Sequence, residues 1–299
     1  MKNDELIEDN SSLELVAEGL SWSEGPVWVA ELQGFVLSDI SGNASYLYRP
    51  GEPLQVFAKP STHTNGRTID SAGDLIECSN DLRAVVRRKV ANPDSVEIIA
   101  DHYGPARLNA PNDVIISKDG TIWFTDPAYG IEIPGESASL GQREYGDRWV
   151  FAMNPDGSNL RPVITTVIAP NGLAFSPDEK YLYVVDSSAS GGEDGPGRHI
   201  WRFVMYEGLP KSGEKLIEIA VEVPDGIKVD QQGRIWSSAG DGVRIFSPDG
   251  QSLGHVPVDR RVANLGWGGE DGRLLLICAI DRLYTIRTKT TDTLWERFR

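Results

Sequence analysis

The chain has 299 residues, of which 40% are hydrophobic, and a formal net charge of −15. That is ample apolar material for a globular core, and the charge excludes the basic footprint of a nucleic-acid binder or of an anionic-membrane binder. No stretch approaches the ~18 apolar residues of a membrane span. The acidic residues 1–10 lack the apolar core of a secretory signal. Cys78 and Cys278 lie mid-strand and read as buried free thiols, which fits a reducing compartment, so a cytoplasmic location is expected.

Taken in chain order, one pattern recurs six times: a polar entry residue, a short apolar strand, a turn and a second strand. Glu24-Gly25-Pro26-Val27-Trp28 leads to Phe35-Val36-Leu37-Ser38-Asp39, and Asn65-Gly66-Arg67 leads to Leu75-Ile76-Glu77-Cys78. Asn112-Asp113-Val114 leads to Ile122-Trp123-Phe124-Thr125-Asp126, and Asn171-Gly172-Leu173 leads to Tyr181-Leu182-Tyr183-Val184. Asp225-Gly226-Ile227 leads to Ile235-Trp236-Ser237, and Asn264-Leu265-Gly266 leads to Leu274-Leu275-Leu276-Ile277. The entry residues are spaced by 39 to 59 residues. Strand units repeating at roughly 40–50 residues are the signature of a β-propeller.

Two further strands complete each unit, separated by turns such as Asp119-Gly120 and Asp249-Gly250. The last unit has only three strands, and an unpaired outer edge is a liability. Residues 13–17, Leu13-Glu14-Leu15-Val16-Ala17, are expected to supply its fourth strand, pairing near residues 283–286. The fold expected is therefore all-β: a six-bladed propeller of four-stranded blades over residues 13–288, closed by an N-terminal strand in the last blade. Residues 1–12 and 289–299 are read as tails, and no long amphipathic helix is found. Two long loops, 127–147 and 187–198, join second to third strands and are expected to overhang the face where the entry residues begin.

Six polar side chains converging on a channel need a reason. Buried carboxylates are costly unless paired or bound to metal. Glu24 and Asp225 face a ring that includes Asn112 and Asn171, with no Lys or Arg at an entry position. A divalent cation would neutralise them, and all-oxygen donors favour a hard ion, Ca²⁺ first, then Mg²⁺ or Mn²⁺, with Zn²⁺ less natural. The other reading is that Asn-Gly and Asp-Gly only make turns between blades. It accounts for the glycines better than for a Glu at the first position. His63, two residues before Asn65, is read as an exposed loop histidine neutral to function.

Glu24-Gly25-Pro26-Val27-Trp28, Leu108-Asn109-Ala110-Pro111-Asn112-Asp113-Val114, Pro170-Asn171-Gly172-Leu173-Ala174-Phe175-Ser176 and Pro224-Asp225-Gly226-Ile227 resemble the signature segments of the SMP-30/gluconolactonase/luciferin-regenerating family. Trp123-Phe124-Thr125-Asp126-Pro127-Ala128-Tyr129-Gly130 resembles its bacterial gluconolactonase branch. The resemblance implies one divalent metal in the channel, usually Ca²⁺, and hydrolysis of a sugar lactone. By motif, Glu24, Asn171 and Asp225 match the metal ligands, and Asn112 matches a residue contacting metal or substrate. Where animal members carry a substrate-binding Arg this chain has Ala110, so Arg107 or Asn109 is the expected substitute, with Tyr129 as a further substrate contact.

The chemistry expected is metal-assisted attack of water on a cyclic ester, with Asp225 as general base. The absence of a Gly-x-Ser-x-Gly motif argues against a covalent acyl-enzyme. Two rivals stand beside it: aryl-ester or organophosphate hydrolysis on the same site, and a non-catalytic Ca²⁺-binding propeller. The expected partner is a small sugar lactone, without nucleic acid or membrane, and a homodimer is an open assembly.

Overall fold

The computed structural model describes residues 5–190 and 195–295. Its strands form six four-stranded antiparallel sheets, arranged as the blades of a propeller. The first strands of blades 1 to 6 are Ser23–Val29, Thr64–Ile69, Val114–Ile116, Pro170–Phe175, Ile227–Val229 and Asn264–Gly268. In each blade the next two strands follow in chain order, and in blades 1 to 5 so does the outermost.

Blade 6 is closed from the other end of the chain. Its outer strand is Glu14–Glu18, which pairs Glu14 with Thr285, Leu15 with Tyr284 and Ala17 with Leu283. The expected closure is therefore observed, and the third strand, Arg282–Arg287, has no open edge. The described parts of the segments read as tails lie against the propeller. Ile7 bridges Thr288, Asp292 bridges Asp230, and the Thr293 amide donates to Val229 O at 3.1 Å.

The core lies between blades. One apolar cluster joins Trp236 and Val243 of blade 5 to Trp267 and Leu275 of blade 6. Others join Ile76 and Val85 to Phe124 and Phe151, and Trp123 and Val150 to Leu173 and Val184. Second strands such as Leu75–Ser79 and Ile235–Ala239 are buried throughout because both faces pack against neighbouring blades, and the charge of Glu77 within the first is met by Arg67 and Arg88. Cys78 and Cys278 are free and fully buried inside this packing.

In four of the six blades the innermost strands approach too closely for a side chain after the entry residue, at Gly25, Gly66, Gly172 and Gly226. A Cβ on Gly66 would lie 2.6 Å from Asn112 O, and one on Gly172 would collide with Asp225 O. The same glycines donate across the ring, Gly66 N to Asn112 O at 2.8 Å and Gly172 N to Asp225 O at 3.1 Å. The Asn-Gly pairs thus sit where neighbouring inner strands touch, which is a different role from inter-blade turns. The pairing register also shifts between Glu24 and Val27, and between Pro170 and Leu173. Such bulges re-aim side chains at strand ends, and here they fall on Glu24 and Asn171.

Candidate active site

Glu24, Asn65, Asn112, Asn171 and Asp225 all line one cavity of about 120 Å³ at the channel mouth. Trp22 and Ile40 from blade 1, Tyr129, Ile133 and Glu136 from the long loop of blade 3, Ser190, and Arg261 complete its wall. Asn264, the sixth entry residue, lies behind Glu24 and donates from Nδ2 to Glu24 Oε2 at 2.7 Å. Its own Oδ1 accepts from Leu265 N at 2.8 Å, which fixes the amide with its nitrogen toward Glu24.

The electrostatics follow from burial. Glu24 is 3% exposed, and its carboxyl is pushed well above the usual carboxylate range by desolvation and then by Asp225. The Gly25 amide, 2.6 Å from Oε2, and Asn264 act in the opposite direction. Burial also raises Asp225, while Arg261 and a hydrogen bond from Asn171 pull it down. Arg261 Nη2 stands 3.3 Å from Asp225 Oδ2, so a cation does reach the site, from the loop before Asn264. Burial and Asp225 push Glu136 up to about 7, against Arg261. Deeper in the channel Asp113 Oδ2 has no hydrogen-bond partner, and Lys228 and Asp292 line a second cavity of about 50 Å³ further along the inner strands.

The structure separates the other residues singled out from sequence. Tyr129 opens a one-turn helix, Tyr129–Glu132, and faces the cavity. Arg107 does not: its guanidinium donates to Leu82 O at 3.1 Å, and its amide to Glu144 Oε2 at 2.8 Å. Asn109 is fully buried, and its Nδ2 is occupied by Asp126 O, Tyr145 Oη and Asp147 O at 2.8–3.1 Å. It braces the base of the lid loop. His63 is buried rather than exposed, with Nδ1 2.8 Å from Asp81 Oδ2, and lies outside the cavity wall.

Both long loops reach the mouth: Tyr129, Ile133 and Glu136 belong to one, and Ser190 to the other, whose residues 191–194 lie outside the described residues. Trp22, Glu136 and Arg261 were not singled out by sequence. Trp22 stands two residues before Glu24 and Arg261 three before Asn264, so proximity to an entry residue is the signal that marks these two, whereas Glu136 is marked only by its place in the 127–147 loop.

Among the described residues no three His, Cys, Asp or Glu side chains form a metal-binding group. The entry residues that converge bring two carboxylates and three amides, and Glu136 of the long loop adds a third carboxylate to the wall. A small polar cavity at one mouth of a six-bladed propeller, ringed by carboxylate and amide oxygens, defines a class of channel-site propellers. The chain belongs to the SMP-30/gluconolactonase/LRE-like family, whose model matches residues 22–281. A gluconolactonase of Zymomonas mobilis is 32% identical, over 96% of this chain and 84% of its own length. A gluconolactonase structure from Xanthomonas campestris superposes with a TM-score of 0.87 at 31% identity, covering 94% and 91% of the two chains. A calcium-binding regucalcin of Agrobacterium tumefaciens shares the fold, with a TM-score of 0.75 at 18% identity over 93% and 95% of the chains.

Proposed function

We propose that this chain is a gluconolactonase-like hydrolase that opens a sugar lactone at a divalent-cation site in the channel mouth. The observation that carries the reading is the cavity itself. Glu24, Asn171 and Asp225 converge on space left open, with Asn112 and Tyr129 on its wall, as a reactive site requires and a structural ion does not. The family and the gluconolactonases similar to it over nearly the whole chain support the same reaction.

The residues fit a hard cation. Glu24 and Asp225 are buried together, each charge is unfavourable to the other, and Glu24 has only two neutral donors to balance it. Glu24, Asn171 and Asp225 would hold the ion, Ca²⁺ by preference, with Asn112 beside it. When bound, it would supply Lewis-acid polarisation of a lactone oxygen. The remaining work belongs to the protein. Asp225 takes the proton of the water that attacks the carbonyl carbon. The ring C–O bond breaks, and the leaving oxygen recovers a proton from the protonated Asp225. Asn264 keeps Glu24 oriented. Tyr129, Glu136 and Ile133 close the mouth over the ring and limit bulk water.

An aldonolactone panel assayed in EDTA, with metal add-back, tests this. Turnover lost in EDTA and restored by Ca²⁺ supports it. Turnover of aryl esters or phosphotriesters without lactones would favour the rival hydrolase reading.

A further inference from the structure

Arg261 is the single Lys or Arg side chain on the cavity wall among the described residues. It is held loosely at every point. Its bond to Asp225 is long at 3.3 Å. Its Nε has no hydrogen-bond partner and stands 3.8 Å from a half-exposed Glu222. Its guanidinium carbon sits 5.4 Å from the Trp22 ring centroid, a weak contact at a partly exposed site. Arg67 shows the contrast: fully buried, it donates to Glu77, Gly25 O, Ser38 and Ser45 at 2.7–3.1 Å. Among the described residues no second arginine lines the cavity, and Arg107 bonds Leu82 O instead.

We infer, resting on the lactone-hydrolase reading above, that Arg261 is an exchangeable cation: it neutralises Asp225 in the metal-free site and binds oxygens of the sugar ring in the working site. A buried carboxylate needs one positive partner. An ion shared with Glu24 supplies that charge and removes the main hold on Arg261. The guanidinium stays over the mouth on Trp22, with N–H groups in need of acceptors. A planar fork of donors matches neighbouring ring oxygens of a polyhydroxylated lactone.

Arg261→Ala and Arg261→Lys, compared with the unaltered protein, test the exchange. Three quantities are read: Ca²⁺ affinity by calorimetry, Tm in EDTA, and KM and kcat for glucono-1,5-lactone. In Arg261→Ala the competitor for Asp225 is gone, so Ca²⁺ binds several-fold tighter and Tm in EDTA falls. KM rises about tenfold, as for one or two lost hydrogen bonds, with little change in kcat. Arg261→Lys restores Ca²⁺ affinity and Tm but not KM, because an ammonium lacks the fork. Unchanged or weaker Ca²⁺ affinity in Arg261→Ala overturns the neutralising role, and unchanged KM overturns the substrate role. An unaltered protein that binds Ca²⁺ but turns over no lactone contradicts the functional reading and the substrate role with it, while Ca²⁺ affinity still decides the neutralising role.

Discussion

Asn264 shows how one residue outside the cavity sets the chemistry within it. Its Nδ2 is the side-chain donor on Glu24 Oε2, at 2.7 Å. Groups that orient a metal ligand are commonly worth 10–100-fold in affinity, so Asn264→Ala is expected to weaken Ca²⁺ binding by about that factor in calorimetry; unchanged affinity would remove it from the site. Asp126 bears on stability instead. Burial pushes its carboxyl up to about 7, against hydrogen bonds from the Asn109 amide and Tyr145 Oη. Between about 4 and 7 the unfolded chain is ionised at this position while the folded one keeps its proton. Stability from this group therefore falls as pH rises through that window, by roughly 1 kcal/mol per unit, and levels off above 7. Asp126→Asn is expected to flatten that slope in urea denaturation from pH 4 to 8. The entry residues were legible in sequence because the ring imposes them: glycine where inner strands touch, a polar side chain beside it. Arg261, Glu136 and Trp22 were not, because they come from loops without a repeat position, and their aim depends on which blades meet. Asn109 misled for the same reason, since its partners Asp126, Tyr145 and Asp147 assemble only on folding.

At the scale of elements, the closing strand and the lid make separate demands. The strand Glu14–Glu18 was legible because the last repeat lacked a partner for its edge, and the register observed is one that seals it. Removing residues 1–18 leaves the outer edge of Arg282–Arg287 unpaired, while its inner edge still pairs with Leu274–Ala279. The expected loss of several kcal/mol lowers Tm by about 10 °C or more in calorimetry; an unchanged Tm would mean that closure contributes little. The lid was legible as a long loop, but its anchoring was not. Asn80 Nδ2 donates to Glu136 O at 2.8 Å, the Ala138 amide to Asp81 Oδ1 at 2.7 Å, and Arg83 Nη2 to Gln142 O at 3.2 Å. These contacts tie the lid to the turn between the second and third strands of blade 2. Asn80→Ala is expected to raise KM for lactones and to relax selectivity among ring sizes, with Tm shifted by no more than a few degrees. An equal loss of Tm and selectivity would make the lid a structural element.

For the whole molecule, the ring brings residues up to 240 positions apart to one point, as with Asn264 and Glu24. The acidic chain, at −15, adds a long-range field that favours a cation at the mouth. In the mechanism proposed above, Asp225 is both a ligand and the base of a metal-dependent lactonase. Asp225→Asn keeps size and one oxygen donor but removes the charge and the basic oxygen. The decisive measurement is lactonase kcat for both proteins at Ca²⁺ concentrations shown by calorimetry to saturate each. With Asp225 as base, kcat of Asp225→Asn is expected to stay down by roughly 10²–10⁴-fold; full recovery of kcat at saturating Ca²⁺ would remove Asp225 from that role.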